Sequence, residues 1–477
     1  MPNTHPFHVS KPSATLPRLA ALFSAAALLL GACGGGGGGS GGSEPPPPPA
    51  PLAVTTPGVA VVKARANGAG WVALTEKLRG LENTTTPDRR LLVSSDGRQG
   101  GTPITAPAGW SLVDVAVHPS GQLSVVLSTN KALKLQRRSA NGTLIGESDF
   151  SDAQAATDPY LGDPLQLRDS QSLQPHATRD AVRIAPLGED LVIALRTGRH
   201  AVVAHRMVHS GSGQFTRAWR TLVEPGVFIG AVGLTSGSFD PFNSLDNQWK
   251  LSLDVDAQGR SAIAVNLGYT ELAEGHAQHF NEPLVRQVEH GALATQLNAQ
   301  GQRLGATVIN TLQRSEVHAL RWAGDQLLVA GRVRTEQRPD GFGWDAYLAR
   351  LPAGGAAGGS VQVLDFDRGD VILDIAPTAD GRLLLAGATG YWQNPTGGSI
   401  SEESQPLLAL VPAAGGNASR ITAAAGPRHN QLRSVAPWQG RWLVGGFENG
   451  PGTHSADADA NRLSADGHLR DRALAPF

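Results

Sequence analysis

One pattern returns seven times between Pro57 and the C-terminus, and it constrains the fold more than any other feature of the sequence. Each copy has a short strand-like segment, a tight turn containing Gly, and a strongly apolar segment that often ends in Ala or Gly. The copies are VVKARANGAGWVAL (61–74), VDVAVHPSGQLSVVL (113–127), VRIAPLGEDLVIAL (182–195), LSLDVDAQGRSAIAV (251–265), VHALRWAGDQLLVAG (317–331), LDIAPTADGRLLLAG (373–387) and RSVAPWQGRWLVGG (433–446). Their spacing of about sixty residues is too long for a solenoid rung and is typical of a four-stranded unit with variable loops.

A second motif lies between the copies of the first and also occurs seven times. It is an apolar segment followed by a Gly turn and a more polar segment, at 90–101, 133–147, 202–215, 294–306, 346–361, 407–421 and 461–474. Asp-Gly, Asn-Gly and Gly-Gly pairs supply the positive φ that two-residue hairpin turns require. Two hairpins in each of seven units give 28 strands, which predicts an all-β, seven-bladed β-propeller.

Two points of this prediction stay open in the sequence. Six or eight blades are alternatives if the copy at 61–74 or the copy at 251–265 is misassigned. No spare strand obviously closes the ring, although Leu52 to Thr56 is able to pair with the outer edge of the last blade. We label the strands of a blade A to D from the axis outward. Strand B is apolar at nearly every position, as expected when both faces of a blade pack on its neighbours.

The repeat resembles the delta-sixty and related bacterial propeller repeats, whose core reads Asp-Gly, a basic or polar residue, several aliphatics and then Ala-Gly. Asp380 to Gly387 (DGRLLLAG) is the best copy, and Gly324 to Gly331 is the next. The resemblance implies the fold of residues 57–477. It implies nothing about activity, because propellers serve enzymes, scaffolds and binding proteins alike.

The N-terminus has the pattern of a targeting segment. Lys11 and Arg18 precede an apolar run from Leu19 to Leu30, which is too short to span a membrane. Leu30-Gly31-Ala32-Cys33 resembles the cleavage motif of a bacterial lipoprotein signal. The resemblance implies that residues 1–32 are removed and that Cys33 carries the palmitate-type lipid anchor. In such lipoproteins an Asp after the cysteine tends to retain the protein in the inner membrane, so with Gly34 at that place the resemblance implies sorting to the outer membrane. The alternative is an ordinary secretory leader.

The residues after Cys33 are predicted to form a tether. GGGGGGSGGS is typical of a flexible coil, and EPPPPPAP is typical of a stiff polyproline II segment. The predicted organisation is a signal peptide at 1–32, the lipidated cysteine with a disordered linker at 33–56, and the propeller at 57–477. The protein is therefore expected outside the cytoplasm, facing the periplasm or the cell surface.

Composition and motifs exclude several classes of function. With 40 Lys and Arg against 41 Asp and Glu, the chain has no charge bias toward nucleic acid. A single cysteine rules out an intramolecular disulfide and a Cys-based zinc site. His276-Ala277-Gln278-His279 is a weak match to a zinc site, and the acidic run from Asp457 lacks the Gly and Glu of a calcium loop. Arg368-Gly369-Asp370 spells an adhesion tripeptide but precedes a strand A, where a turn is expected. We predict no cofactor and no metal.

Two sets of residues are candidates for a functional role. The long segments fall between strands B and C or between strand D and the next blade, so they emerge on one face, and they carry aromatic residues that suit a sugar or a protein. The predicted binding face contains Tyr160, Phe242, Tyr269, Phe280, Trp344, Tyr391, Trp392 and Phe447. The alternative is that these rings fix the loops to the scaffold. The second set is polar residues that open the strands A around the axis, namely Asp114, Arg183, Ser252, His318, Asp374 and Ser434.

The predicted function is binding rather than catalysis. The channel residues are interpreted as a structural ring, with an enzymatic or ion site as the alternative. No Gly-x-Ser-x-Gly elbow, phosphate loop or dinucleotide fingerprint is present. We therefore expect an outer-membrane-anchored lipoprotein whose propeller binds an envelope protein or glycan. The alternative is an envelope hydrolase or lyase at the channel mouth, which requires His318, Asp374 and Asp114 to converge within a few ångströms.

Overall fold

A computed structural model gives the fold of the part of the chain that follows the tether. It describes residues 51–76, 89–97, 100–129, 132–150, 182–196, 202–224, 251–267, 291–309, 315–335, 343–355, 358–367, 369–390, 404–413, 415–422, 429–450 and 466–472. All of these residues belong to the compact unit Pro51–Phe477. Within these ranges the regular structure is entirely β, and no helix is long and apolar enough to cross a membrane.

The described residues form 28 strands in seven antiparallel sheets of four. In chain order the strands are β1 (Ala53–Pro57), β2 (Ala60–Asn67), β3 (Gly70–Glu76), β4 (Arg89–Ser94), β5 (Thr102–Thr105), β6 (Ser111–Val117), β7 (Leu123–Ser128), β8 (Leu133–Arg138), β9 (Leu144–Phe150), β10 (Val182–Leu187), β11 (Asp190–Arg196), β12 (Val202–His209), β13 (Phe215–Glu224), β14 (Leu251–Val255), β15 (Ser261–Leu267), β16 (Gly291–Leu297), β17 (Arg303–Ile309), β18 (Ser315–Ala323), β19 (Gln326–Arg334), β20 (Trp344–Pro352), β21 (Ser360–Leu364), β22 (Val371–Pro377), β23 (Leu383–Thr389), β24 (Gln405–Val411), β25 (Ser419–Arg420), β26 (His429–Trp438), β27 (Arg441–Gly450) and β28 (Asp466–Arg472).

The seven sheets are the blades of a closed ring. Blades 1 to 6 each contain four consecutive strands, beginning with β2 and ending with β25. The innermost strands contact one another in cyclic order, from β2 through β6, β10, β14, β18 and β22 to β26, and β26 contacts β2 again. The prediction of a seven-bladed propeller is confirmed.

Blade 7 closes the ring with a strand from the other end of the chain. Its order is β26, β27, β28 and then β1, so the outermost strand comes from residues that precede blade 1. The two strands pair antiparallel, from Ala53 opposite Arg470 to Pro57 opposite Asp466. The expected closing segment at Leu52 to Thr56 is thereby confirmed, whereas the hairpin predicted at 461–474 is wrong, because the described part of that range is the single strand β28. The propeller includes residues 53–56, which the sequence analysis assigned to the linker.

The core lies between the blades. Strands β3, β7 and β23 are buried at every position, because each second strand is covered by the blades on both sides. In the cluster between blades 5 and 6, Ala330 and Leu348 of one blade pack with Leu385 and Leu407 of the next. Burying each such leucine contributes about 1.5–3 kcal/mol, so the apolar run of strand B holds neighbouring blades together.

A β-bulge recurs in the innermost strand and explains the Ala-Gly signature of the repeat. The register shifts between Val317 and Ala319 in blade 5, and between Ile372 and Asp374 in blade 6. Opposite the second bulge lies Gly387, where a Cβ would come within 1.9 Å of the Val371 carbonyl oxygen. Gly331 and Gly446 face strand A in the same way. A side chain at these positions is incompatible with the bulged neighbour strand.

The two ends of the propeller differ in the length of their connections. Residues 151–181 separate β9 from β10, and residues 225–250 separate β13 from β14. These connections, with those between strands B and C, leave the blades at one end, which we call the long-connection face. The A-to-B turns at the opposite end are as short as residues 68–69 and 188–189.

Candidate functional site

A polar cavity of about 1190 Å³ follows the propeller axis. Five of the six channel residues predicted from the sequence line it, namely Asp114, Arg183, Ser252, His318 and Asp374. The sixth, Ser434, lies beside the lining and is fully buried, with its hydroxyl 3.2 Å from Asp374 Oδ2. Polar side chains at the start of the innermost strands therefore face a shared space.

Ion pairs connect these side chains across the cavity. Lys63 Nζ lies 2.7 Å from Asp114 Oδ1, and Arg65 Nη1 lies 3.0 Å from Asp374 Oδ2. Arg321 reaches two carboxylates, at 3.3 Å from Asp374 Oδ1 and 3.2 Å from Asp254 Oδ1. Asp114, Asp254 and Asp374 are thus each matched by a cation from another blade.

The same aspartates also join three pairs of neighbouring blades through hydrogen bonds to the backbone. Asp114 Oδ2 accepts the N–H of Ile184 in blade 3 at 3.0 Å. Asp254 Oδ2 accepts the N–H of Trp322 at 2.7 Å, and Asp374 Oδ2 accepts the N–H of Val435 at 3.0 Å. A carboxylate used in this way satisfies a buried donor of the neighbouring strand. The three aspartates therefore have a structural role, because each one hydrogen-bonds its own blade to the next.

Burial and charge act on these groups in opposite directions. Burial raises the pKa of Asp254, and the guanidinium of Arg321 only partly offsets this. Burial also favours the neutral form of Asp374, but Arg65 and Arg321 together bring the pKa of that carboxyl below its ordinary value. Burial lowers the pKa of Lys63 despite its contact with Asp114. The two cations beside Asp374 therefore outweigh its burial and keep this carboxyl ionised.

The hydrolase or lyase alternative requires Asp114, His318 and Asp374 to converge, but each of them interacts with different partners. Asp114 pairs with Lys63, and Asp374 pairs with Arg65 and Arg321. His318 Nε2 instead lies 3.3 Å from Glu316 Oε2, and the imidazole is only 2 % exposed. The contacts therefore do not assemble these groups into one catalytic constellation.

The position of His318 also corrects the sequence alignment of the repeats. In blade 6, Asp374 follows the bulge and pairs with Ala386, whereas in blade 5 the equivalent residue, opposite Ala330, is Ala319. His318 is itself the bulged residue of β18. An alignment without gaps misplaces it by one position, because both blades carry the bulge but the A-to-B turn of blade 5 (residues 324–325) is one residue shorter than that of blade 6 (residues 379–381).

Several charged residues of the cavity lining were missed in the sequence, and four of them form the ion pairs across it. These four are Lys63, Arg65, Asp254 and Arg321. Lys63 and Arg65 are two residues apart on one strand, and Asp254 follows Ser252 by the same spacing. Because alternate residues of a strand point to one face, extending the polar pattern by two positions from Ser252 predicts Asp254. Arg321 escapes this rule because it lies two residues after Ala319, whereas the predicted channel residue of blade 5 was His318.

A second polar arrangement lies at the long-connection face of blade 5. The guanidinium of Arg332 stacks on the ring of Trp344, with its centre 4.4 Å from the ring centroid. Glu316 accepts two hydrogen bonds from Arg332, at 2.8 and 3.0 Å. Burial by itself raises the pKa of Glu316, but Arg332 and His318 hold it well below its ordinary value. We call Glu316, His318, Arg332 and Trp344 the blade 5 platform.

Two residues of the predicted binding face can be located. Trp344 is the first residue of β20 and is half-buried, and Phe447 lies inside β27 and is only 3 % exposed. Both are strand residues rather than loop residues, which corrects their assignment, and the ring of Phe447 packs against Ala60. The remaining six, and the predicted anchor, lie outside the described residues, namely Tyr160, Phe242, Tyr269, Phe280, Tyr391, Trp392 and Cys33.

Comparison with known proteins adds little to this description. No protein-family model matches the chain, and no curated protein matches it. Among solved structures, a protein of unknown function from Bacteroides caccae is 12% identical, with a TM-score of 0.35, over 80% of this chain and 88% of that one. The WD40 β-propeller domain of Doa1 is 8% identical, with a TM-score of 0.43, over 87% and 95%.

A third solved structure, that of YCF48 bound to a D1 peptide, is 9% identical, with a TM-score of 0.46, and covers 89% of this chain and 97% of that one. At these identities and TM-scores none of the three supports an inference about function. The class of the protein, a seven-bladed β-propeller, rests on the sheet order and on the cyclic contacts of the innermost strands.

Proposed function

We propose that the chain is a lipid-anchored binding module of the bacterial outer membrane. In this proposal the propeller binds an envelope protein or glycan on its long-connection face. The observation that carries the proposal is the blade 5 platform, in which a half-buried Trp344 is stacked on Arg332 and Arg332 is fixed by Glu316. A tryptophan and an arginine that are already held in place are the residue types that dominate binding energy at interfaces.

The physical advantage of such a platform is preorganisation. The side chain of Arg332 is 3 % exposed, and its two hydrogen bonds to Glu316 prevent other rotamers. A partner that lands on Trp344 therefore orders few side chains, and each ordered side chain otherwise costs about 0.5–1.5 kcal/mol. An indole ring offers an apolar face and an N–H donor, which suits both a sugar and a protein surface.

The charges of the channel favour this function over the hydrolase or lyase alternative. A general acid and base must lie close to one reacting bond, with pKa values that burial and neighbours move apart. Asp114 and Asp374 are instead engaged with cations and with backbone N–H groups of the next blade. No pair of channel carboxylates among the described residues has the freedom that hydrolysis demands.

The anchor in this proposal rests on the sequence. Cys33 is the single cysteine and stands at the fourth place of the Leu30-Gly31-Ala32-Cys33 motif. Metabolic labelling with a palmitate analogue tests it directly, with Cys33→Ala as the variant. We expect label in the native protein and none in the variant. Label that persists in Cys33→Ala contradicts the assignment of the anchor.

The binding part is tested by chemical cross-linking in whole cells followed by affinity capture. The native protein, Trp344→Ala and Arg382→Ala are compared, because Arg382 lies in the short turn between β22 and β23 at the opposite end. We expect a captured protein or glycan that is reduced in Trp344→Ala and retained in Arg382→Ala. Capture that depends on Arg382 and not on Trp344 means that the partner binds the opposite face rather than the long-connection face.

A further inference from the structure

Three carboxylates meet at the junction of blades 5 and 6, outside the channel. They belong to Asp345, Asp365 and Asp370, and one oxygen from each lies within 4.8 Å of the others. Asp345 is the second residue of β20, Asp365 follows β21 directly, and Asp370 precedes β22 directly. The chain therefore brings together the start of a strand C, the end of a strand D and the entry to the next blade.

The local backbone holds these three segments in contact. The N–H of Asp370 donates to the carbonyl oxygen of Trp344 at 2.9 Å, which ties the entry of blade 6 to the first residue of β20. Strand β21 pairs with β20 up to Leu364, which sets Asp365 at the same edge. The hydroxyl of Thr335 donates to Asp345 Oδ2 at 2.6 Å and orients that carboxylate.

Asp370 shows that the cluster is more than a group of solvated acids. Its side chain is fully buried, and Oδ2 accepts the N–H groups of Phe366 at 2.7 Å and Asp367 at 3.3 Å. The hydroxyl of Thr389 faces the same carboxyl, but neither Asp370 Oδ1 nor Thr389 Oγ1 makes a hydrogen bond of normal geometry. A buried carboxylate oxygen without a full partner is costly, and a cation beside it removes that cost.

The electrostatics agree with this geometry. Burial raises the pKa of Asp370 to about 6, and the nearby charge of Asp345 acts in the same direction. Its burial also excludes Asp370 from adhesion through the Arg-Gly-Asp tripeptide. Three like charges at this separation repel one another, so a positive ion between them stabilises the ionised forms.

We propose that Asp345, Asp365 and Asp370 bind a divalent cation of the calcium type. The donor atoms are all oxygens, and the cluster contains neither imidazole nor thiolate, which favours a hard cation over zinc or copper. Asp365 is exposed, which leaves room for water to complete the six to eight oxygen ligands that Ca²⁺ prefers. The ion joins β20 and β21 to the start of β22, next to Trp344 of the blade 5 platform.

Terbium provides a probe, because Tb³⁺ occupies calcium sites and emits when a nearby tryptophan absorbs the exciting light. We expect saturable Tb³⁺ emission from the full-length protein, displacement by Ca²⁺, and a rise in Tm with Ca²⁺. Asp365→Asn weakens Tb³⁺ binding by more than about tenfold. Asp367→Asn is the matched control, because Asp367 is exposed in the same connection and contributes only its backbone N–H.

Two further variants distinguish the residues that bind the cation from the tryptophan that transfers energy to it. Trp344→Phe lowers the emission but leaves the Ca²⁺ effect on Tm unchanged, since Trp344 supplies energy transfer and no ligand. Asp370→Asn abolishes both responses, and Asp365→Asn keeps the test valid if Asp370→Asn fails to fold. The proposal is overturned if about 1 mM Ca²⁺, the upper end for extracellular calcium modules, leaves Tm and emission unchanged. Equal losses in Asp365→Asn and Asp367→Asn overturn it as well.

Discussion

Acidification is expected to loosen the contact between blades 2 and 3 through one buried histidine. His118 lies in the short turn between β6 and β7, is 3 % exposed, and has Nδ1 at 2.8 Å from the Gly188 carbonyl oxygen of blade 3. Its Nε2 lies 2.7 Å from Ser124 Oγ. Burial, reinforced by the Arg137 guanidinium, lowers the pKa of His118 from 6.5 to about 4. The folded protein therefore holds this imidazole neutral.

The sign of the effect follows from the two protonation states. Between about pH 6.5 and pH 4 the unfolded chain binds a proton at this histidine and the folded chain does not. The stability that His118 contributes is complete above pH 6.5 and is lost as the pH falls toward 4. At about 1.4 kcal/mol per pKa unit the full loss is about 3 kcal/mol, of which about 2 kcal/mol is lost by pH 5.

Urea unfolding of the native protein and of His118→Gln at about pH 7.5 and about pH 5 tests this magnitude. Glutamine hydrogen-bonds but does not titrate, so we expect the stability difference between the two proteins to shrink by about 2 kcal/mol at the lower pH. The comparison with His118→Gln is needed because Asp370 also affects the pH dependence of stability. Burial raises the pKa of Asp370 to about 6, so its protonation stabilises the folded protein as the pH falls, opposite to the effect of His118. A stability difference that is the same at both pH values refutes the reasoning.

Three further predictions concern the scaffold. Gly387→Ala is expected to destabilise the protein by about 1–3 kcal/mol or more, because the new Cβ meets the Val371 carbonyl oxygen; an unchanged urea midpoint contradicts this. Asp374→Asn is expected to cost about 2–4 kcal/mol, against a much smaller loss for the exposed Asp380→Asn, and equal costs contradict a role between blades. Deletion of residues 51–57 removes β1 and is expected to lower Tm, since the edge of β28 is left unpaired; a full-length Tm contradicts closure by this strand.

The architecture could be predicted from the sequence because the same pattern recurs from blade to blade. A fully apolar strand B and Gly turns recur wherever two faces of a blade are buried, so the number of blades follows from counting, although the predicted hairpin at 461–474 is in fact β28 paired with β1. The Ala-Gly ending was visible as a pattern, but its cause was not. Only the structure shows that Gly387 faces a bulge whose carbonyl oxygen leaves no room for a Cβ.

The candidate sites were less accessible, for two physical reasons. The A-to-B turn is one residue shorter in blade 5 than in blade 6, and the sequence does not show where the strand ends and the turn begins, so His318 was aligned with Asp374 although Ala319 is the equivalent residue. The acidic cluster brings together Asp345 and Asp370, which belong to different blades and are far apart in the sequence. Nothing in the sequence indicates that they are close in space. The expectation of no metal now depends on the Tb³⁺ titration. The contacts of Trp344 with Arg332 likewise require knowledge of which strands are neighbours.

The central claim is that the long-connection face binds and that the opposite face does not. The most direct measurement is the dissociation constant of the captured partner for purified native protein, Trp344→Ala and Arg382→Ala, at one ionic strength. Truncating a rigid aromatic anchor typically costs 2 kcal/mol or more, so we predict at least about thirtyfold weaker binding for Trp344→Ala and an unchanged constant for Arg382→Ala. Weaker binding of Arg382→Ala together with an unchanged Trp344→Ala contradicts the claim.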